Sequence, residues 1–327
     1  MWAKRLAGPS KFETIDTAAP GELQDGQVLL KLLAGGVCGS DIPNFQGMVS
    51  LLLRNVDPGA TKLAGYPMHE VVGEVVSTRD ETFCVGDRVV GWATGLDGLA
   101  EYVVTQSDSV ISYSTPLPPT EAILIQPLAC ALYTIDRLAV EGQSVAVIGL
   151  GPIGLLMSHV AKTWGATRVT GVDKIDRSAV AKEFGVDDCV HSMADRWSYN
   201  LKDDERPSIV IEAAGHQAAT MHDAIRAAAY GGRIFYFGIP DDDVLPFPIN
   251  QFLRRNLTLM SGGVQDRQRW LRKADEYLAE HPELLKCITG VFGIEDAQKA
   301  YDLGSQHLEG RLKVVLDASS PGVQRLG

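Results

Sequence analysis

The first third of the chain, to about residue 117, alternates short apolar runs with glycine-bearing turns. Runs of this length, rich in β-branched residues, predict β-strands, and they cover residues 27–33, 71–76, 87–91 and 100–104. Several short strands joined by such turns favour a small, partly open barrel. We therefore predict a β-rich domain in this part of the chain.

From residue 120 to about 262 the pattern alternates between strand-like and helix-like segments. Strands are predicted at 144–148, 168–172, 188–191, 208–212, 232–238 and 257–260, and helices at 175–184 and 217–229. Such alternation is typical of a parallel sheet covered on both faces, so we predict a six-stranded, doubly wound sheet. The last two strands are expected to be exposed edges through which two copies could pair.

The tail from about residue 264 predicts two amphipathic helices and a strand, around 270–279, 294–303 and 312–316. A strand that follows a complete parallel sheet most simply returns to the first domain. The proline-rich stretch 115–119 is the best linker, because successive prolines neither continue a helix nor donate to a central ladder. We predict an α/β protein with a β-rich domain formed by 1–118 and 264–327, and a second domain formed by 119–263.

One predicted strand leads directly into the turn Gly149-Leu150-Gly151-Pro152-Ile153-Gly154, after which helical spacing begins. In a dinucleotide-binding turn the first glycine permits the tight bend, the second lets the backbone approach a pyrophosphate, and the third lets helix and strand pack closely. Amide groups at the helix N-terminus would then bind the phosphates. We predict Gly149, Gly151, Pro152, Ile153 and Gly154 as cofactor-binding residues.

The next predicted strand ends in Asp173, about twenty residues after the last glycine of the turn. A carboxylate at this distance binds the adenosine ribose hydroxyls and repels a 2′-phosphate, so NAD is favoured over NADP. Lys174 and Arg177 follow the acid and leave NADP as the less favoured cofactor. All three residues belong to the predicted cofactor site.

Charge and cysteine content narrow the classes of function. The net charge of −11 argues against nucleic acid or an anionic membrane as the main partner. No apolar run approaches the ~20 residues needed to span a bilayer, and residues 1–5 lack the apolar core of a signal peptide. The five cysteines are scattered, without disulfide or Cys-x-x-Cys spacing. A cytoplasmic protein with a small-molecule partner is therefore expected.

Two further segments carry residues that suit a zinc ion. Cys38 follows a strand-like run and His69 precedes one, and a thiolate and an imidazole are ligand types that zinc prefers. Ser40 could relay a proton from a metal-bound alcohol, and Asp41 or Glu70 could orient the imidazole. Each residue taken singly is more often an ordinary buried side chain, so the assignment depends on the combination.

The order of these motifs resembles that of the medium-chain, zinc-dependent alcohol and polyol dehydrogenases, including sorbitol-dehydrogenase-like members. The likeness spans about 26–316 and includes Cys38-Gly39-Ser40-Asp41, His69-Glu70, Gly86-Asp87-Arg88-Val89, Gln126-Pro127-Leu128 and the glycine turn. It implies a GroES-like catalytic domain, a Rossmann domain, an active site in the cleft between them, and a homodimer or homotetramer.

The same resemblance implies one catalytic zinc, with Cys38, Ser40, His69 and Glu70 as catalytic residues. It also implies that a basic residue, Lys313, lies behind the metal ligands, opposite Asp41. The substrate hydroxyl would take the open zinc position, and Ser40 would pass its proton outward.

Gln126 departs from the family pattern, because sorbitol-dehydrogenase-like members carry a glutamate there as a zinc ligand. A neutral amide oxygen is a much poorer zinc ligand than a carboxylate or thiolate. The third protein ligand is therefore open among Gln126, Glu70, which some relatives move onto the metal, and Cys130. The last lies one turn beyond Gln126 if this segment is helical.

Two other departures concern proton transfer and a second metal. Pro43 stands where many family members have a relay histidine, so proton transfer would depend on Ser40, ribose and water. Residues 91–100 contain no cysteine, so the four-cysteine structural zinc lobe of many relatives is excluded.

The segment 48–64 resembles an insertion, and Met68 replaces the usual glycine before the histidine. Arg54 and Lys62 fall in this segment. They could border the substrate or belong to a solvated loop.

These features favour an oxidoreductase that transfers a hydride between NAD(H) and a secondary alcohol or ketone, on a polyol, cyclitol or sugar-like molecule. One alternative is a zinc-free NAD(P)H-dependent reductase of the quinone or enoyl type, which would account for Gln126. Against it, a zinc-free enzyme has no chemical need of both Cys38 and His69. The other alternative is a non-catalytic NAD-binding protein.

Overall fold

The computed structural model describes residues 1–48, 63–242, 244–319 and 325–326. It has two compact units, one formed by Met1–Ala129 with Gln265–Gly327 and the other by Cys130–Val264. The division falls inside a helix, α3 (Ile125–Leu138). The domain limits inferred from the proline-rich stretch stay a prediction.

The described part of the first unit contains two sheets. The smaller pairs β1 (Trp2–Gly8) with β2 (Lys11–Asp16). The larger has eight strands: β3 (Gln27–Val37), β4 (Glu70–Thr78), β5 (Arg88–Trp92), β6 (Tyr102–Gln106), β7 (Val110–Ser112), β14 (Ile288–Gly293), β15 (Lys313–Asp317) and β16 (Arg325–Leu326). β15 pairs antiparallel with β3, which confirms that the closing strand returns to the first unit.

The core of this unit follows the two-residue period of its strands. In β3, Val28, Leu30 and Leu32 are buried on one face, where they pack with Val71 and Leu316. Among the described residues, the helices of the unit are α1 (Asp41–Phe45), α2 (Pro119–Ala122), α9 (Arg267–Glu280) and α10 (Ala297–Gly304). The last two confirm the predicted pair of tail helices, although the second begins as a 3-10 turn.

The second unit contains a six-stranded parallel sheet in the order β10-β9-β8-β11-β12-β13, which confirms the prediction. Its strands are β8 (Ser144–Ile148), β9 (Arg168–Asp173), β10 (Asp188–His191), β11 (Ile209–Glu212), β12 (Arg233–Tyr236) and β13 (Thr258–Ser261). Its helices are α4 (Pro152–Thr163), α5 (Ser178–Ala181), α6 (Ala194–Asn200), α7 (Ala219–Ala227) and α8 (Ile249–Arg254). The strand order reverses between β8 and β11, and ligands bind outside the carboxyl ends of strands at such a point.

Two details of the second unit differ from the sequence predictions. β12 lies between β11 and β13, so the expectation that 232–238 forms an edge was wrong. The helix predicted from residue 175 begins at Ser178, because the carboxylate of Asp176 accepts the amide of Ser178 at 2.8 Å and favours a turn. Among the described residues, no helix is long and apolar enough to cross a membrane.

Candidate functional site

Three potential metal ligands meet in the first unit: Cys38, His69 and Glu70. Each offers one ligand atom, and these atoms lie within 4.8 Å of one another. β3 and β4 are antiparallel neighbours with Gly36 opposite Glu70, so the chain leaving β3 and the chain entering β4 lie side by side. A thiolate, an imidazole and a carboxylate so close together form a donor set that fits zinc with one position left open.

Asp41 orients two of these residues at once. Its Oδ1 lies 2.8 Å from Nδ1 of His69, and its Oδ2 accepts the amide of Cys38 at 3.1 Å. Sequence reasoning allowed either Asp41 or Glu70 to hold the imidazole, and the structure has Asp41 in contact with it. Because Nδ1 faces this carboxylate, Nε2 is the ring nitrogen left to bind a metal.

The protonation of His69 reflects the same contacts. Burial lowers the pKa of the imidazole, but the charge of Asp41 and hydrogen bonds with Asp41 and Cys38 outweigh burial. Together they raise the pKa of His69 well above its ordinary value. A bound metal would therefore have to displace a proton from this ring.

Glu70 forms a buried ion pair with Lys313. Their exposed fractions are 1% and 2%, and Nζ of Lys313 also donates to the carbonyl of Val37 at 3.1 Å. Burial lowers the pKa of Lys313, but the charges of Glu70 and then Cys38 raise it by more, so the amine stays protonated. Lys313 begins β15 beside the end of β3, and it pairs with Glu70 rather than with Asp41, contrary to the expectation.

Two glycines of β3 make room for this arrangement. A Cβ on Gly36 would lie 2.1 Å from Oε2 of Glu70, and a Cβ on Gly35 would lie 2.3 Å from Cε of Met68. Met68, which departs from the family pattern, therefore fills space that Gly35 leaves. Sequence reasoning missed both glycines, because a glycine in a strand does not say which distant side chain it accommodates.

The remaining candidate residues of the metal site lie near the cluster in sequence or on α3. Ser40 directly precedes α1, and its carbonyl accepts from the side-chain amide of Asn44 at 3.3 Å. Pro43 lies inside α1 and offers no proton. Gln126, which is 2% exposed, and Cys130, which is half-buried, lie on α3. The segment is therefore helical, which is the condition under which Cys130 lies one turn beyond Gln126.

Metal binding by Gln126 or Cys130 stays a prediction. Arg54 and Lys62 lie outside the described residues.

The geometry at each glycine of the turn is what a dinucleotide-binding turn requires. Gly149 has a φ of +97°, which favours glycine, and a Cβ there would lie 2.7 Å from the amide nitrogen of Ala214. A Cβ on Gly151 would meet nothing within 4 Å, so this backbone faces open space. A Cβ on Gly154 would lie 1.8 Å from the carbonyl oxygen of Gly149, so only glycine permits the close contact of α4. Pro152 and Ile153 begin that helix.

Asp173 ends β9 beside this turn. Its Oδ2 accepts the amide of Leu150 at 2.7 Å and its Oδ1 accepts the amide of Ile175 at 2.8 Å. The carboxylate is thereby held at the mouth of the turn, where each oxygen keeps a further lone pair for a ribose hydroxyl. Lys174 is exposed, whereas Arg177 is only 4% exposed.

Two protein-family profiles match the chain. The profile described as the alcohol dehydrogenase GroES-like domain matches residues 24–115, and the profile described as zinc-binding dehydrogenase matches residues 152–279. The first match contains the Cys38 and His69 cluster, and the second contains most of the glycine turn.

Similar proteins match most of the chain. L-threonine 3-dehydrogenase of Bacillus subtilis is 27% identical, covering 89% of this chain and 92% of the relative. Erythritol/L-threitol dehydrogenase of Mycolicibacterium smegmatis is 26% identical, covering 75% and 78%. The structure of alcohol dehydrogenase TADH from Thermus sp. ATN1 shares the fold, with a TM-score of 0.80 at 23% identity over 97% of this chain and 100% of that chain.

Together the two domain matches and these relatives identify an oxidoreductase that uses a nicotinamide cofactor and acts on the CH–OH group of a small alcohol. The chain belongs to the zinc-binding alcohol and polyol dehydrogenases of the medium-chain dehydrogenase/reductase superfamily.

Proposed function

We propose that this enzyme interconverts a secondary alcohol and a ketone on a polyol, cyclitol or sugar-like substrate, with NAD(H) as cofactor and one catalytic zinc. The observation that carries the proposal is the cluster of Cys38, His69 and Glu70, whose ligand atoms lie within 4.8 Å of one another. Relatives named for L-threonine and for erythritol and L-threitol support a substrate with secondary hydroxyl groups.

The role of Asp41 follows from its contact with His69, and the role of Ser40 follows from the resemblance to the family. When bound, zinc would supply a Lewis acid that lowers the pKa of the substrate hydroxyl, and the nicotinamide would supply the hydride acceptor. Asp41 keeps the imidazole of His69 in one orientation. Ser40 receives the hydroxyl proton at Oγ and releases its own towards ribose and water, because Pro43 has no titratable group.

Glu70 is the third protein ligand in this proposal. It is a carboxylate within reach of Cys38 and His69, whereas Gln126 would offer a neutral amide oxygen. The carboxylate has two oxygens, so one can face the metal while the other stays with Lys313. Since residues 91–100 contain no cysteine, the proposal includes no structural zinc.

The preference for NAD rests on Asp173. Its carboxylate is held at the glycine turn by two backbone amides, where it would repel the 2′-phosphate of NADP. Arg177 is too buried to receive a phosphate from solvent. Lys174 remains as an exposed cation and would account for residual use of NADP.

We also propose a homodimer formed through β13. This strand ends the six-stranded sheet on one side, and Ile249, Leu253 and Leu259 near it are exposed. Two identical edges can pair around a two-fold axis. Sedimentation of the wild-type protein and of Leu253→Glu measures the state, and a wild-type monomer would contradict it. A cytoplasmic location is part of the proposal and agrees with five free cysteines.

The test combines metal analysis with turnover. Protein purified without chelator should hold about one zinc per chain and form NADH with secondary polyols, more slowly with NADP. Cys38→Ala should lose the bound zinc, and its kcat/KM should fall at least about a hundredfold. Cys84→Ala, which removes an exposed cysteine of the same unit, is the matched control and should keep both.

Other outcomes point to the alternatives. Activity that survives strong chelation and Cys38→Ala would favour a zinc-free reductase. Tight NADH binding without turnover on a broad panel of alcohols and ketones would favour a non-catalytic protein. Either result would overturn the proposal.

A further inference from the structure

A buried carboxyl group lies beside the glycine turn and has no role in the function proposed above. Glu212 is the last residue of β11 and is 0% exposed. In the parallel sheet it lies opposite Ile148, the residue that directly precedes Gly149. The carboxyl group therefore lies at the carboxyl ends of the strands, next to the predicted pyrophosphate site.

The contacts of this carboxyl group are with backbone amides of the following loop. Oε1 of Glu212 accepts the amides of Ala214 and Gly215, both at 3.1 Å. The loop amides thus point inward to a side chain. Burial raises the pKa of Glu212, and these hydrogen bonds offset only part of the rise.

Glu212 also connects this loop to the next strand. Its backbone carbonyl accepts the amides of Phe237 at 2.9 Å and Gly238 at 3.1 Å. A Cβ on Gly238 would lie 2.5 Å from Oε2 of Glu212, so glycine there leaves room for the carboxyl group. One residue therefore organises the loops that follow β11 and β12.

The loop that Glu212 holds packs directly on the glycine turn. A Cβ on Gly149 would lie 2.7 Å from the amide nitrogen of Ala214 and 2.9 Å from its Cα. The backbone of Ala214 therefore lies in close contact with Gly149. If residues 213–215 moved outward, the turn at Gly149 would lose this support.

We infer that Glu212 is a positioning residue for the nicotinamide cofactor. Its buried carboxyl group draws the amides of Ala214 and Gly215 inward and so holds the loop 213–215 against the turn at Gly149. It acts through the backbone and does not touch the cofactor. The inference rests on the proposed NAD site.

The test separates two properties of the side chain at position 212: its ability to accept hydrogen bonds from the loop amides, and its volume. Glu212→Met keeps the length of the side chain but accepts no hydrogen bond from the amides, whereas Glu212→Gln keeps an amide oxygen that accepts both. We expect Glu212→Met to raise the Kd for NADH and the KM for NAD about tenfold, with kcat within about threefold. Glu212→Gln should keep the Kd within about threefold of the wild type.

Asp275 provides the matched control. It is 4% exposed and accepts the amides of Ser114 and Thr115 in the other unit, at 2.7 and 3.4 Å. Asp275→Leu should lower the Tm without changing the Kd for NADH. If Glu212→Met does not accumulate as folded protein, Gly238→Ala replaces it, because the added Cβ would press on Gly215 and on the carboxyl group of Glu212. The expected rise in Kd is about threefold, and an unchanged Kd there would contradict the inference.

Besides an unchanged Kd in the replacement variant, three results would overturn the inference alone: an unchanged Kd in Glu212→Met, an equal loss in Glu212→Gln, or an equal loss in Asp275→Leu. A wild-type protein that binds neither NADH nor NADPH would overturn the proposed function, and this inference with it. The two failures are therefore distinguishable.

Discussion

Two buried glutamates, one in each unit, are stabilised in opposite ways. Glu70 begins β4 in the first unit and Glu212 ends β11 in the second, and both are at most 1% exposed. Glu70 is paired with the buried ammonium group of Lys313. Glu212 instead accepts the backbone amides of Ala214 and Gly215.

The difference suits each residue to a different task. The charge of a buried carboxylate is balanced by a neighbouring cation, and a carboxylate within 4.8 Å of Cys38 and His69 can bind a metal. A buried carboxyl group without a cation costs less when protonated, as the raised pKa of Glu212 shows. Such a group still accepts hydrogen bonds and can organise the backbone.

The largest effect is expected when the cation is removed. Lys313→Met leaves the Glu70 carboxylate buried without a counter-charge, which should cost about 3–5 kcal/mol of unfolding free energy in metal-free protein. Urea unfolding of the chelated protein measures it. The double variant Glu70→Met with Lys313→Met should recover most of the loss, because an uncharged pair needs no compensation.

A surface pair supplies the control for that prediction. Lys162 and Asp187 form an ion pair at 2.8 Å with both side chains more than a third exposed, so Lys162→Met should cost about 1 kcal/mol or less. If Lys313→Met cost no more than Lys162→Met, the buried pair would not be what stabilises Glu70.

A smaller effect is expected from filling the space behind Glu70. Gly36→Ala places a Cβ 2.1 Å from Oε2 of Glu70 and 3.1 Å from Cε of Lys313, so the pair must shift, at a cost of about 1–3 kcal/mol. Thermal unfolding measures it. Gly39→Ala, where a Cβ would meet nothing within 4 Å, should cost much less.

A double-mutant cycle checks the cause of the Gly36→Ala effect. In the Glu70→Ala background, Gly36→Ala should cost clearly less, because the clashing carboxylate is gone. An equal cost in both backgrounds would mean that Gly36 matters for the strand rather than for Glu70.

The smallest effect concerns the pH dependence of Glu212. Its pKa in the folded protein is raised above the ordinary 4.5, so its contribution to stability is fully present below pH 4.5 and is lost as the pH rises through the raised value. Glu212→Gln has no such loss. The Tm of Glu212→Gln should therefore rise relative to that of the wild type as the pH increases from 4.5 to 7.

Differential scanning calorimetry across this pH range tests the prediction. Glu141→Gln, at an exposed position of the same unit, should show no such trend. A Tm difference that stays constant with pH in Glu212→Gln would mean that Glu212 ionises as it does in the unfolded chain.

Much of the site could be predicted because its signals are local in sequence. Gly149, Gly151 and Gly154 lie within a single turn. Their spacing alone predicts a tight bend, a backbone open to a pyrophosphate and a closely packed helix. Cys38 and His69 lie at junctions of strand and loop, which hydrophobic patterning reveals. Glu212 gave no such signal, because an acid at the end of an apolar strand says nothing about the amides it will meet.

The predictions that failed depended on strand order. Residues 232–238 were expected at an edge, but β13 covers β12. Lys313 was expected opposite Asp41, but its ion pair is with Glu70. β15 and β4 flank β3, and Gly36 of β3 has no side chain, which leaves room for Lys313 and Glu70 to meet. The pattern of hydrophobic residues along the chain predicts where strands lie and which of their faces is buried. It does not predict which strands pair, because pairing joins segments far apart in the sequence.

The sequence by itself determined the two kinds of architecture, the nucleotide turn and the residue types of a zinc site, because each depends on periodicity or on spacing within a short segment. Only the tertiary structure decided which charges meet. It joined Asp41 to His69 and Glu70 to Lys313, and it set the loop held by Glu212 against Gly149. These contacts bridge segments far apart in the chain, so their geometry follows from sheet register and packing rather than from local pattern.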